Sequence, residues 1–335
     1  MKKLLLGSAL ASAVLFSGSS FAETKISGYL ETTVGFTSTT TSGTPDNSLP
    51  TGIGHEISID LATSKTLSNG LTMEAGFGIE NGSQADQYLK LSSGGTYFAI
   101  GNDVTGVADN VSQEDFTPHI AQAWHDAGIG GGNIAGTATT HGGNGFYLVH
   151  KAETFTIESV YSPDLGLSNT TGASSNGAGQ ASGAAASSGY DLAISGNFGV
   201  PGLKVGYGIS RAKAGDDSIA ANTEQEGDNY GIQYSNSGFT VGYGVTENKA
   251  IASTTKTEIK TMGIAYKVND AISVGIYDGN VSVTGVGNDE EYQSLQVGYD
   301  FGGMGITVGY YTAETIGGTS GTDREKLEIR TVTKF

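Results

Sequence analysis

Carboxylates are the side chains in this sequence best placed to do chemistry. Asp103, Asp109, Glu114, Asp115 and Asp126 fall in one long connection, residues 103–143, together with Phe116 and the single tryptophan, Trp124. Gathered in a narrow, poorly hydrated passage, such carboxylates attract cations and repel anions. His119 and His125 stand beside the same acids, but their spacing matches no established ligand motif, so no metal site is assigned. Acidic groups recur at Asp216/Asp217, Glu224/Glu226/Asp228 and Asp289/Glu290/Glu291, where oxygen donors of this kind can hold Ca2+. More simply, these are solvated loop tips, and apart from that Ca2+ option no cofactor is expected.

Covalent catalysis has no visible home. No serine satisfies Gly-x-Ser-x-Gly, and the chain has no cysteine nucleophile. Gly130-Gly131-Gly132-Asn133-Ile134-Ala135 satisfies a dinucleotide-type glycine pattern, yet no strand–helix unit or later acid accompanies it, and it reads as chance. The chain is therefore not expected to be an enzyme.

The elements that position these residues begin after an export signal. Lys2 and Lys3, the apolar run Leu4 to Phe16, and Ser20-Phe21-Ala22 form its charged, apolar and cleavage regions. Residues 1–22 are expected to be a cleaved signal peptide and residues 23–335 one folded domain. No later stretch approaches the roughly 18–20 consecutive apolar residues of a spanning helix, so membrane residence must be peripheral or by β-barrel. Setting aside Lys2 and Lys3 leaves 15 basic residues against 34 acidic, a formal charge of −19, which argues against a nucleic-acid partner. With 53 glycines, 5 prolines and no disulfide available, glycine belongs inside extended structure and stability must come from backbone pairing.

Period-two alternation runs through the chain. Ile26, Leu30, Val34 and Phe36 oppose Lys25, Ser27, Tyr29, Glu31 and Thr33; Leu71, Met73, Phe77 and Ile79 oppose Thr72, Glu74 and Glu80; Leu295, Val297 and Tyr299 end the series. Sixteen such segments can be drawn, at 25–36, 53–63, 71–80, 86–92, 95–102, 144–151, 154–162, 189–198, 203–212, 228–235, 239–246, 257–267, 271–278, 290–300, 304–313 and 323–335. Short connections (Ser93–Gly94, Asn236–Gly238, Phe301–Gly303) interleave with long ones (37–52, 103–143, 163–188), the rhythm of a meander with tight turns at one rim. The polar face carries Gly206, Gly208, Gly242, Gly244, Gly298 and Gly309, with Lys25, Glu31, Glu74, Lys90, Lys204, Lys326 and Arg330. That composition is a wet lumen wall, with the oily rows turned to lipid. Val-Gly-Tyr at 205–207, 241–243, 297–299 and 308–310 sets tyrosine on the oily parity, where interfacial girdles lie. The prediction is an all-β fold: a sixteen-stranded antiparallel transmembrane β-barrel.

Three stretches resemble the general Gram-negative outer-membrane porin family, and the resemblance spans the mature chain. Thr24-Lys25-Ile26-Ser27-Gly28-Tyr29-Leu30 is similar to the first porin strand, Leu67-Ser68-Asn69-Gly70-Leu71 to the first periplasmic turn, and Leu327 to Phe335 to the terminal strand. The resemblance implies short periplasmic turns, long external loops, a homotrimer in the outer membrane in contact with lipid and lipopolysaccharide, and Phe335 as the signal read by the barrel-assembly machinery. It also implies that the third loop folds into the lumen, which would make Asp103, Asp109, Glu114, Asp115, Phe116, Trp124 and Asp126 the pore constriction. The length and apolar anchors of 103–143 point the same way. Asn102 stands where the family often has a basic residue, and with only Arg211, Arg324 and Arg330 no arginine ladder is evident. Lys25, Lys90, Lys204, Lys326 and Arg330 have inward parity and are the expected basic pore-wall residues. The expected function is passive diffusion of ions and small hydrophilic solutes, leaning to cations. The alternatives are a substrate-selective channel of the same kind and an exported adhesin or lectin-like β protein.

Overall fold

The computed structural model describes residues 22–41, 44–46, 51–102, 111, 116–118, 145–162, 187–214, 225–250 and 256–335. The expected signal peptide lies outside the described residues, Ala22 apart. Among the described residues seventeen strands form: β1 (Glu23–Thr41), β2 (Thr44–Asp46), β3 (Thr51–Thr66), β4 (Thr72–Glu80), β5 (Ser83–Ser93), β6 (Thr96–Asn102), β7 (Gly145–Lys151), β8 (Phe155–Ser162), β9 (Ser187–Gly196), β10 (Leu203–Ala214), β11 (Gln225–Asn236), β12 (Phe239–Ala250), β13 (Lys256–Lys267), β14 (Ile272–Val283), β15 (Glu290–Asp300), β16 (Met304–Glu314) and β17 (Asp323–Lys334). From β3 onward each strand pairs antiparallel with the next, and β1 pairs with both β3 and β17. The sheet therefore closes on itself. β2 adds only three residues beside Thr39–Thr41, so the wall has sixteen strands.

Closure is what a lipid environment demands, since an open strand edge would strand its N–H and C=O groups where no water can reach them. The seam is long: β1 and β17 pair from Tyr29–Lys334 to Thr40–Asp323. It ends where Gly28 and Phe335 exchange two backbone hydrogen bonds of 3.0 Å each. Among the described residues no helix is long and apolar enough to cross a membrane.

The wall separates the faces by parity. Along β15, Glu290, Tyr292, Ser294, Gln296 and Gly298 are buried, whereas Glu291, Gln293, Leu295, Val297 and Tyr299 are exposed. The apolar rows are thus the outer surface, and Ile26, Leu30, Ile53, Phe98, Leu148, Tyr207 and Ile276 belong to it. An adhesin-like soluble fold would bury these rows in a packed core. Nine tyrosines stand on this outer face (Tyr161, Tyr190, Tyr207, Tyr230, Tyr234, Tyr243, Tyr266, Tyr299 and Tyr310), all of them on β8 to β16.

Turn chemistry agrees with the rhythm of short and long connections. Ser237-Gly238 closes a two-residue hairpin with φ of 50° and 85°, a primed turn whose twist matches the strands. Residues 81–85, expected to form a loop, contain another such turn, Asn81-Gly82 at 48° and 80°. Several strands also outrun their sequence limits at the long-connection rim: β1 reaches Thr41, β12 Ala250 and β14 Val283. Beyond the lipid both faces meet water, so pairing continues where alternation has stopped.

Gly28 is a point where the seam tolerates no side chain. A Cβ there would run into the Ser58 carbonyl oxygen and the Phe335 ring. Gly28→Val is expected to cost about 1–3 kcal/mol through overpacking and to lower the fraction of barrel that runs as the folded species on an unheated gel.

Candidate pore and its wall

Inward-facing Gly206, Gly231, Gly242 and Gly263, on β10 to β13, leave a groove across the inner wall, and part of the third connection fills it. Phe116 is fully buried there; a Cβ on Gly206 or Gly231 would enter its ring, and one on Gly242 would strike its carbonyl oxygen and the Pro118 ring. Polar groups pin the same segment: Gln233 Nε2 donates to the Phe116 carbonyl over 3.2 Å, the Thr117 and Thr261 hydroxyls meet at 2.5 Å, and the Tyr277 hydroxyl donates to the Thr117 carbonyl over 3.2 Å. Lys204 Nζ lies 4.3 Å from the centre of the Phe116 ring, a cation–π distance. Val111, also of this connection, packs with Val160, Ala193 and the partly buried Tyr147. The described parts of the third connection therefore lie inside the barrel. Phe116 acts there as a buried anchor. Asp103, Asp109, Glu114, Asp115, Trp124 and Asp126 lie outside the described residues.

The lumen is not equally open all round. On β9 to β16 the inward side chains Asp191, Ala193, Ser210, Asn229, Thr246, Ile259, Thr261, Tyr277, Tyr292, Gln296 and Tyr311 are all exposed by 3% or less. On β1 and β3 to β6 the inward Tyr29, Thr33, Glu56, Glu74, Tyr88, Lys90, Ser92 and Tyr97 are half-buried, and Asp60 and Glu80 are exposed. In the loop-side half the free passage therefore borders the β1–β6 side of the wall; near the short turns the inward Thr240, Ala265, Ser273 and Thr307 of β12 to β16 are half-buried too.

Charge on that side is organised in pairs. Glu31 and Glu56 stand directly opposite each other across β1 and β3, an unfavourable juxtaposition of like charges. Arg330 answers it by contacting Glu31 at 2.5 Å, and the Tyr29 hydroxyl donates to Glu56. Lys90 meets Glu74 at 2.5 Å, and Lys326 meets the buried Glu328 at 2.6 Å. Lys25, near the short-turn rim, is 3.7 Å from Glu23 with both side chains exposed. Each of the expected wall bases thus lies against an acid or, for Lys204, a ring. That is why the wall carries no basic ladder.

The sequence reading missed a set of inward aromatics. Tyr88 donates to Glu74 over 2.9 Å and Tyr147 to Glu158 over 2.6 Å, while Tyr97 packs edge-on against Tyr147 with ring centres 5.4 Å apart. Parity counted from Lys90 points Tyr88 inward, whereas Tyr147 needs the β7–β8 register to be placed; the tyrosines of the Val-Gly-Tyr repeats all face outward.

Comparison with known proteins completes the picture. A family model described as Gram-negative porin matches residues 9–330. The chain belongs to the Gram-negative porin family. No curated protein sequence is similar enough to match it. Solved structures share the barrel. The anion-selective porin from Comamonas acidovorans has 14% identity and a TM-score of 0.65, with 94% of this chain and 100% of that one covered. The trimer form of OmpT, an outer membrane protein of Vibrio cholerae, has 15% identity and a TM-score of 0.62, with 94% and 99% covered. A mutant of the Rh. blastica porin has 12% identity and a TM-score of 0.62, with 93% and 100% covered. Likeness at this level carries the fold, and with the family it places this porin in the outer membrane as a channel.

The acidic clusters of this porin do not converge where they are described. Glu226 and Asp228 lie 3.8 and 3.6 Å from Arg211, while Glu290 is buried and the adjacent Glu291 exposed, on opposite faces of β15. Among the described residues no group of three acids or histidines is placed to hold a metal ion. The groove makes a direct prediction. Phe116→Ala should remove about 3–5 kcal/mol of anchoring, and Gly231→Leu should expel the same ring. Both variants are expected to raise single-channel conductance in planar bilayers while the barrel still folds.

Proposed function

We propose that this porin is a passive diffusion channel for ions and small hydrophilic solutes that favours cations. The observation that carries the reading is the half-open β1–β6 wall, where Glu56, Asp60, Glu74 and Glu80 face the passage, Lys90 is held by Glu74, and Arg330 of the adjoining β17 is held by the buried Glu31. Carboxylates in a confined, poorly hydrated bore favour cations. The formal charge of −17 and the acids at 103–126 support the same sign. Anion selectivity of the Comamonas protein on the same fold is no obstacle, because selectivity resides in wall side chains and not in the barrel.

Oligomerisation follows from the outer face. The outward tyrosines are confined to β8–β16, and β17, β1 and β3 to β7 present Ile26, Leu30, Phe36, Ile57, Phe98 and Leu148 with no tyrosine among them. Tyrosine marks the lipid headgroup level, so the tyrosine-free sector is the one we assign to contact between copies in a homotrimer. Export by the residue 1–22 signal, insertion read from Phe335 by the assembly machinery, and lipopolysaccharide around the β8–β16 sector belong to the same reading. Ca2+ at the external acidic clusters belongs to the same reading.

Two measurements test it. In a KCl gradient the reversal potential should have the sign of potassium permeation, and Glu56→Gln with Glu74→Gln should move it toward zero; a chloride-selective channel would overturn the cation preference. Arg330→Ala should strengthen cation preference yet cost about 3–5 kcal/mol by leaving the largely buried Glu31 without its ion pair.

A further inference from the structure

The β5–β7 wall holds an ammonium group of its own. Lys90 Nζ lies 2.5 Å from Glu74 Oε1 and 5.7 Å from the ring centres of both Tyr88 and Tyr97. Tyr88 donates to the same carboxylate, and the array continues through the Tyr97–Tyr147 edge contact to Glu158. On the neighbouring part of the wall Tyr29 and Glu56 form another tyrosine–carboxylate unit. A carboxylate beside aromatic faces is the environment that recognises alkylammonium ions, because ring quadrupole and charge act on the same cation. Another inward lysine, Lys204, also sits over a ring, that of Phe116. In the loop-side half the passage is bordered by this aromatic wall, since the opposite inner wall is covered there.

The geometry points to an organic-cation track: Tyr88 and Tyr97 with Glu74, backed by the Tyr147–Glu158 pair, form a permeation site for small alkylammonium solutes, and Lys90 is its tethered occupant. This rests on the cation-channel reading and deepens it by naming a solute class. Potassium, strongly hydrated and compact, gains from the carboxylates alone; an alkylammonium ion gains from the rings as well. Lys90 competes with such a solute for the same two rings. Removing the lysine therefore frees the site rather than destroying it.

The test uses the full-length protein in planar bilayers, with choline as the probe. Choline-to-potassium permeability ratios come from reversal potentials with KCl on one side and choline chloride on the other. The wild type is expected to pass choline better, relative to potassium, than aqueous mobilities dictate. Tyr97→Leu should lower the ratio about two- to fivefold, the worth of a cation–π contact at an accessible site, and Tyr97→Phe should retain it. Lys90→Met should raise the ratio, whereas a purely electrostatic wall would admit both cations more freely and leave the ratio where it was. Tyr243→Leu, on the outer face, should change nothing. An unaltered ratio in both Tyr97→Leu and Lys90→Met overturns the track. A companion KCl gradient on the same membranes separates the two claims: chloride preference overturns the cation-channel reading itself, and potassium preference with an indifferent choline ratio overturns this inference alone.

Discussion

Backbone hydrogen bonding in a solvent that offers none is the constraint on which the rest of the structure depends. In lipid every strand needs two neighbours, and the only sheet without an edge is one that closes. The β1–β17 seam, carried down to the Gly28–Phe335 exchange, supplies that closure. Once the wall is a closed ring, parity does the remaining sorting. One set of side chains must meet lipid and the other must meet whatever fills the middle.

What fills the middle is uneven, and that unevenness makes the pore. Four glycines on β10–β13 remove enough wall to seat residues 116–118, and threonine, glutamine and tyrosine groups pin the segment in place. The cost of ordering this segment is offset by burying a whole aromatic side chain. The β1–β6 wall keeps Glu56, Asp60, Glu74, Glu80 and its tyrosines accessible, and Lys90 there and Arg330 on the adjoining β17 are each drawn onto a carboxylate. A wall so arranged has little net basic field. Its remaining character is set by carboxylates and rings.

Much of this was legible in the sequence, for reasons that differ by feature. Alternation in segments such as Leu295-x-Val297-x-Tyr299 and the rhythm of short and long connections determine strand number and face, because lipid and water are opposite solvents on the two sides of one strand. Glycines at 206 and 242 could be placed on the inner face, but not what they make room for: a groove is a property of four strands together, and its occupant, Phe116, is distant in sequence from all of them. The inner tyrosines were hidden for a related reason. A tyrosine is compatible with a lipid interface and with a wet wall, so Tyr88 and Tyr147 declare themselves only through their carboxylate partners across the sheet. The strand ends at the outer rim escaped detection because pairing there needs no amphipathic pattern.

The central claim is that in the loop-side half of the barrel the open passage runs along the β1–β6 wall and the β9–β16 wall is covered. The chain has no cysteine, so single cysteines can report on each side without background. Thr33→Cys and Ser92→Cys sit on the half-buried inner face of β1 and β5, and Ser210→Cys and Ser294→Cys on the covered inner face of β10 and β15. A charged methanethiosulfonate reagent applied to open channels should reduce the current through the first pair and leave the second pair unmodified. Equal reaction at all four positions, or reaction only at Ser210→Cys and Ser294→Cys, would contradict the account.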